Sequence, residues 1–544
     1  MGKKKQQVSD DAYGQLAGGI GALAIVFGVL AAIKGKLGLS WPATVLLTAG
    51  VLVALGYAAW KARTALMRAW AGEKQPAAAM AQAAPATAVI GGDQAAAEAA
   101  VPHPQLTPAL VKAQAIGKDE IIRADEVTIG EVPAPGKGTL YDFLVPEGRT
   151  YEDVEKRLGN VAGMFGVTRL HLKMERSRDN ERRVKLLKLH EPPFTHPFPA
   201  PTRQEIEAFA GVPLGHDVTG QLAGVPTFDK ASLLVAGMTQ MGKTTLINGL
   251  ITCLLIGYGE FELYLLDGKF CGLTRFEKVA YRYESSDDPA VYEDIVDELN
   301  DRSDKRYAEM KRAVQDRKPL PKFKPVIFIV DEAADFFASD ETKEGKEDAR
   351  RIAEKTRSLV AKSLESGIST VLMTQRPSTN AIPVMVRDQF LYRLCLYVAS
   401  SGTAKVALGD TYFETIAPIN PALLDPEIKG QAVLFTQGRS TLLRGFNFDD
   451  PFIWGVVDEV LAHQDQAIEA NPASPITQAI ALMRSKNVDF MTTADLAPAL
   501  GIHEEDATER GKQLNNLLGV SAGRNAKGRG YLLADLIKAA KSSP

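Results

Sequence analysis

An α/β fold built on a mostly parallel sheet, covered on both faces, is what this sequence predicts, and three observations predict it. An apolar run, Leu233-Leu234-Val235-Ala236, enters a glycine-bounded loop and then a helix through Leu246, Ile247, Leu250 and Ile251. A second apolar run, Val326-Ile327-Phe328-Ile329-Val330, ends in the two carboxylates Asp331 and Glu332. Around these runs, further strands at 262–267, 369–374, 390–398, 431–435 and 441–446 alternate with helical stretches, notably 291–314 and 347–366. Continuous apolar strands alternating with helices are the pattern of parallel strands buried on both faces.

The loop Gly237-Met238-Thr239-Gln240-Met241-Gly242-Lys243-Thr244-Thr245 matches G-x-x-x-x-G-K-[ST]. Its glycines let the backbone curl so that N–H groups point at phosphate oxygens, and the following helix adds its positive end. Lys243 is then placed for the terminal phosphates of a nucleotide and the Thr244 hydroxyl for Mg²⁺. Strand-end carboxylates complete such a site: Asp331 to hold the metal, Glu332 to orient and deprotonate an attacking water. Gln375, directly after the strand 369–374, puts an amide where a terminal phosphate could be sensed.

Length and composition set the frame. At 544 residues the chain is expected to hold several domains, and 45 % hydrophobic with 24 % charged residues suits globular folding. The net charge of -3 says nothing against a nucleic-acid partner, because charge can be locally asymmetric. Three well-separated cysteines, Cys253, Cys271 and Cys395, make neither a disulfide framework nor a metal-ligand pair, as expected of a cytosolic body. His190 and His196 flank a proline-rich turn and are read as part of a linker.

In chain order, residues 1–70 read as a membrane hairpin. No charged residue occurs in 15–33 or in 37–60, and each run supplies the roughly 20 apolar residues of a span. The spans are placed at about 15–33 and 41–60, joined by Lys34-Gly35-Lys36 and bracketed at the second by Trp41 and Trp60. Lys3, Lys4 and Lys5 before the hairpin and Lys61, Arg63 and Arg68 after it put both termini in the cytoplasm. The expectation is a multi-pass plasma-membrane protein. Residues 71–117, rich in Ala with scattered Pro, read as a tether. A small α+β module is expected over 118–198, with Val154, Leu158, Val161 and Phe165 at helical spacing. Its hairpin is read from Leu170, Leu172 and Met174 and from Val184, Leu186 and Leu189, about a turn at Ser177-Arg178-Asp179-Asn180.

The motor is assigned to 199–465 and a C-terminal domain to 475–544, with a break around 471–475. In the latter, a short helix ending at Gly501, a second helix from about 505 to 518, and two strands about Asn525-Ala526-Lys527-Gly528 give a winged-helix pattern. Arg510, Lys512, Gln513 and Asn516 are candidates to face a DNA groove, with Arg524, Lys527 and Arg529 on phosphates. Glu504, Glu505 and Asp506 oppose that placement, and are ordinary partners of a helix N-terminus.

Taken together, Leu214-Gly215-His216-Asp217-Val218-Thr219-Gly220, the phosphate loop, Asp331-Glu332-Ala333-Ala334-Asp335 and Thr374-Gln375-Arg376-Pro377-Ser378 resemble the FtsK/SpoIIIE family of hexameric double-stranded DNA translocases. Leu266-Asp267-Gly268-Lys269 resembles that family's Asp-Pro-Lys segment with Gly for Pro, and Lys305-Arg306-Tyr307 its Arg-Arg-Tyr helix with Lys in the first place. The resemblance implies a RecA-like motor that hydrolyses ATP with Mg²⁺ in a homo-oligomeric ring. It implies that Arg393 is a finger acting on the neighbouring subunit's nucleotide, and that Lys405 lines the DNA pore. One hairpin and a short tether resemble the actinomycete plasmid transfer (Tra) layout, with chromosome segregation at division as the alternative. Two rival functions are a secretion-type ATPase and a non-catalytic membrane DNA anchor. The single phosphate loop argues against the first, and intact Lys243, Thr244, Asp331 and Glu332 against the second.

Overall fold

Strand pairing divides the described chain into three sheets. The computed structural model describes residues 101–542 apart from 134–135, 340–341, 376–377, 379–380 and 470–473. The expected membrane spans, most of the tether, and Arg376 and Pro377 lie outside the described residues. Among the described residues no helix is long and apolar enough to cross a membrane.

The first sheet is antiparallel, in the order β1-β2-β4-β3, from β1 (Thr128–Val132), β2 (Gly138–Leu144), β3 (Leu172–Arg176) and β4 (Arg183–Leu189). Three helices pack on it: α1 (Leu106–Lys112), α2 (Tyr151–Glu155) and α3 (Leu158–Met164). The tether expectation is corrected here. Leu106 and Leu110, one turn apart, are fully buried with Ile116, Phe143, Val154 and Leu186, so residues 106–116 are core. The one helix expected around Val154 and Phe165 is two, with non-helical backbone (φ -107, ψ 9) at Arg157 between them. Leu170 belongs to a 3₁₀ turn ahead of β3 rather than to the strand.

The second sheet has ten strands in the order β6-β5-β14-β13-β12-β7-β11-β10-β8-β9. Its parallel part runs β12 (Tyr392–Leu396), β7 (Leu233–Ala236), β11 (Ile368–Thr374), β10 (Val326–Asp331), β8 (Glu262–Asp267) and β9 (Arg282–Glu284). Beyond β12 the pairing turns antiparallel through β13 (Gln431–Thr436), β14 (Arg439–Gly445), β5 (Val212–Asp217) and β6 (Leu222–Val225). The side-chain alternation of the parallel strands sorts the core into two layers. Leu233, Val235, Ile327, Ile329, Val371 and Met373 meet α5 (Lys243–Gly257) through Leu246, Leu250 and Leu254. Leu234, Leu266, Phe328, Val330 and Leu372 meet α6 (Pro289–Gln315) and α7 (Lys343–Ser366) through Tyr292, Ile295, Leu299, Ile352 and Leu359. Two buried charges here are satisfied, Glu262 and Arg306: Arg302 grips Glu262 at 2.5 and 2.8 Å, and Arg306 donates to the carbonyls of Ser366 (2.6 Å) and Lys324 (2.7 Å). The Lys305-Arg306-Tyr307 segment is therefore a joint between α6 and the sheet. Helix α4 (Arg203–Ala208) precedes this sheet; α8 (Val384–Arg387), α9 (Ser401–Leu408), α10 (Asp410–Phe413) and α11 (Asp450–Glu469) complete the motor.

The small module is fixed to the motor by an ion pair, Lys173 to Asp217 at 2.7 Å, and by a shared apolar cluster including Leu187, Leu189, Phe194, Val218, Tyr412 and Leu442. The third sheet, β15-β17-β16, is antiparallel and belongs to the C-terminal domain: β15 (Phe490–Thr492), β16 (Gly523–Asn525) and β17 (Gly528–Leu532). Helices α12 (Pro475–Ser485), α13 (Thr493–Ala499), α14 (Ala507–Leu518) and α15 (Leu533–Ser542) enclose Ile480, Met483, Leu496, Leu514, Tyr531 and Leu536.

Candidate nucleotide site

The parallel strands β7, β10 and β11 end on one edge, and the phosphate loop leaves β7 between its neighbours β11 and β12. Ligand sites of α/β sheets lie at such carboxyl edges. The loop is tightly bracketed. Met238 N–H donates to the carbonyl of Tyr397 (3.1 Å), and Gly430 N–H donates to that of Met241 (3.0 Å). A Cβ on Gly237 would lie 2.7 Å from that of Leu396. Gly242 caps α5 at φ 94, and a Cβ there would sit 3.1 Å from the amide nitrogen of Gly430. Only glycine meets both the backbone angle and the space at that position.

Lys243 is 6 % exposed and folds over the loop, its Nζ donating to the carbonyls of Gly237 (2.6 Å) and Met238 (2.7 Å). Burial first, then the nearby Lys269 cation, push its pKa down to about 8. Asp331 is 1 % exposed at the end of β10. Its Oδ1 accepts from Lys269 Nζ at 2.9 Å, while its Oδ2 is buried with no hydrogen-bond partner among the described residues. The Gly272 backbone packs against that oxygen: a Cβ built on Gly272 would be 3.1 Å from Asp331 Oδ2, 3.4 Å from the Thr244 methyl carbon Cγ2 and 3.6 Å from Asp267 Oδ1. A buried, unpartnered carboxylate oxygen and the hydroxyl-bearing residue that follows the loop lysine, both lining the space beside Gly272, are the donor chemistry of a phosphate-bound Mg²⁺, so Thr244 and Asp331 fit that ion.

Glu332 follows at φ 59, an uncommon angle for a residue with a side chain. The turn sends its carboxylate to β11, where it accepts from Thr374 Oγ1 (3.1 Å) and from the backbone N–H of Gln375 (3.0 and 3.1 Å). The Gln375 Oε1 in turn accepts from Thr239 Oγ1 at 2.7 Å, back in the phosphate loop. The structure thus brings together the loop Gly237, Met238, Thr239, Gln240, Met241, Gly242, Lys243, Thr244 and Thr245, with Asp331, Glu332 and Gln375. Chemically, the group offers amide donors and a lysine for phosphates, a metal-type acceptor, and a carboxylate for a water.

Three further residues belong to the cluster and escape sequence reasoning. Lys269 bridges Asp331 and Glu332 (3.6 Å to Glu332). Thr374 orients Glu332. Asp267, fully buried, accepts from the N–H groups of Lys269 (3.2 Å) and Leu273 (2.8 Å) and fixes the segment carrying Lys269. The Leu266-Asp267-Gly268-Lys269 segment is the signal for Lys269 and Asp267, but no charge pattern in it says which acid the lysine meets.

Arg393 and Lys405 are not brought to this cluster. The Arg393 side chain is 11 % exposed, donates to the carbonyl of Arg387 (2.9 Å) and sits 3.6 Å from Asp388. Lys405, on α9, pairs with Asp410 at 3.1 Å. In the C-terminal domain Lys512, Gln513 and Asn516 share the exposed face of α14, with Lys512 also 3.2 Å from Glu509. The groove-facing expectation for Arg510 is corrected: its guanidinium turns back to the carbonyl of Glu504 at 2.9 Å. Asp506 caps α14 by accepting from Thr508 and Glu509 N–H groups. Arg524 and Arg529 are exposed and stand opposite each other across β16 and β17, with Lys527 in the turn.

Residues 199–319, which carry the phosphate loop and the Lys269 segment, match the FtsK/SpoIIIE family. That segment is FtsK/SpoIIIE-type. The chain is 26 % identical over 288 residues to the DNA translocase FtsK of Staphylococcus aureus, covering 49 % of this chain and 34 % of that protein. It is 25 % identical over 221 residues to the DNA translocase FtsK of Leptospira interrogans, covering 37 % and 22 %. It therefore spans about a third, or less, of the length of these curated relatives. Among solved structures, the pCW3 conjugation coupling protein TcpA, in its monomer form with ATPγS, aligns with a TM-score of 0.43 at 17 % identity, over 66 % of this chain and 98 % of that one. The cytoplasmic domain of the Thermomonospora curvata type VII secretion ATPase EccC aligns with a TM-score of 0.36 at 17 % identity, over 50 % and 33 %.

Proposed function

We propose that this chain is a membrane-anchored, ATP-driven translocase of double-stranded DNA, working as a hexameric ring in plasmid conjugative transfer. The observation that carries the reading is the convergence of Lys243, Thr244, Asp331, Glu332 and Gln375 on one sheet edge. In this reading Lys243 leaves the loop carbonyls for the terminal phosphates of ATP. Mg²⁺ held by Thr244 and Asp331 would supply charge neutralisation of those phosphates. Glu332, held by Thr374 and the Gln375 amide, takes a proton from the attacking water. The side chain of Gln375 links that step to the loop through Thr239. Arg393 serves a neighbouring subunit's nucleotide after leaving Arg387 and Asp388.

DNA as the cargo is supported by the FtsK/SpoIIIE-type motor segment and by the like-charged Arg524–Arg529 pair, which a phosphate would neutralise. We read the C-terminal domain as a winged helix that chooses sequence, with Lys512, Gln513 and Asn516 toward bases and Arg524, Lys527 and Arg529 on phosphates. Lys405 is read as a pore contact. The uncharged runs 15–33 and 41–60 support anchoring in the plasma membrane with the motor in the cytoplasm. A chromosome-segregation role is the second reading, favoured by relatives that are themselves DNA translocases named FtsK. The test is ATPase activity of the purified chain with and without random-sequence duplex. Duplex-stimulated turnover that Lys243→Ala abolishes is expected, and turnover indifferent to duplex would reject the translocase reading.

A further inference from the structure

Among the described residues, Lys269 is the cation nearest both working carboxylates. Its Nζ lies 2.9 Å from Asp331 Oδ1 and 3.6 Å from Glu332 Oε2, while Lys243 is engaged with the carbonyls of Gly237 and Met238. Asp331 and Glu332 are 1 % and 7 % exposed, so their charges need a partner within the protein. The backbone is shaped to deliver it. Asp267 holds the amides of Lys269 and Leu273, Tyr283 Oη reaches Asp267 Oδ2 at 3.4 Å, and a Cβ on Gly268 would be 2.8 Å from the Asp331 carbonyl oxygen. The segment therefore packs directly against the end of β10. Lys269 occupies one oxygen of Asp331, and the other is buried with no hydrogen-bond partner among the described residues.

We propose that Lys269 is an internal counter-ion of the Asp331–Glu332 pair, which gives up Asp331 when a divalent cation arrives with nucleotide. It is a positioning residue. Without nucleotide it keeps the two carboxylates neutralised and correctly aimed; with nucleotide it competes with the cation for Asp331 and so sets how much cation loading requires. The inference rests on the ATP-site reading above.

The test is equilibrium binding, without turnover, of a fluorescent non-hydrolysable ATP analogue to the full chain, in chelator and across an Mg²⁺ titration. Lys269→Met should weaken cation-free binding at least about tenfold, because the carboxylates would then repel the phosphates. It should also lower the Mg²⁺ concentration for half-saturation, by about tenfold, since the competitor is gone. Lys269→Gln should behave alike and covers the case that the methionine variant does not fold. Lys269→Arg, which keeps the charge, should stay within about threefold of wild type. In an Asp331→Asn background, Lys269→Met should no longer move the Mg²⁺ midpoint. An unmoved or raised midpoint in Lys269→Met and Lys269→Gln overturns the proposal, as does Lys269→Arg behaving like Lys269→Met. If wild type binds no analogue, or Lys243→Ala binds as well as wild type, the ATP-site reading falls instead.

Discussion

Glu332 holds its backbone at φ 59, a conformation that costs of order 1–3 kcal/mol for a residue with a side chain. The strain is offset by the bonds its carboxylate makes to Thr374 and Gln375, which fix both its oxygens at the end of β11. Glu332→Gln keeps the shape and most of these contacts but loses the base. ATP binding should survive while hydrolysis slows at least about a hundredfold, as measured by single-turnover kinetics. Lys243 gives a second residue-scale test. Its folded pKa of about 8 lies below its ordinary 10.5, so between those values the unfolded chain binds more protons and nucleotide-free stability rises with pH. Below about 8 the full desolvation cost is present. Lys243→Met should therefore stabilise the nucleotide-free protein at neutral pH and flatten its melting temperature over pH 8–10, while binding of nucleotide is lost.

Among the elements, the parallel strands are the most legible. Glu262–Asp267 and Val326–Asp331 have in the structure the bounds the sequence predicts, because each holds an apolar run closed by an acid, the first also opened by one. β5 escapes a sequence reading because Pro213, Gly215 and His216 interrupt its pattern; the strand tolerates them through a bulge between Pro213 and Gly215 and close backbone approaches. α1 is hidden by the alanine-rich composition ahead of it, although Leu106 and Leu110 are spaced for a helix. The site divides in the same way. Lys243, Thr244, Asp331 and Glu332 sit in contiguous motifs and are readable, whereas Lys269 and Arg510 depend on where a long side chain turns, which spacing does not encode. One element-scale interaction is open to measurement. Glu262, 4 % exposed at the start of β8, relies on Arg302 of α6. Arg302→Met should lower unfolding free energy by about 3 kcal/mol, with partial recovery when Glu262→Gln is added, as read by denaturant titration.

For the whole molecule, the proposed function assigns transport and recognition to different parts. Removing residues 475–544 should leave duplex-stimulated ATPase activity on random DNA intact and abolish preference for a transfer-region sequence in competition gel shifts. Equal preference before and after removal would reduce the C-terminal domain to a general clamp or a protein-binding module. Arg393→Ala subunits and Glu332→Gln subunits should each be inactive, yet mixtures should regain turnover, because each can lend its intact half to a shared site. Mixtures that never exceed either variant alone would leave Arg393 as the internal partner of Asp388 and Arg387 that it is within a single chain.

The join between the small module and the motor sets where force can go. Any pull applied through the chain ahead of residue 101 meets the Pro102–Arg123 bridge and α1, crosses the β1-β2-β4-β3 sheet, and reaches the motor at Lys173–Asp217 and the apolar cluster around Phe194 and Tyr412. That junction joins a buried apolar seam to an ion pair, so if the chain works as proposed, recoil from a stroke would be passed on as load instead of being absorbed as bending. A motor mounted this way can brace against whatever holds its N-terminal side.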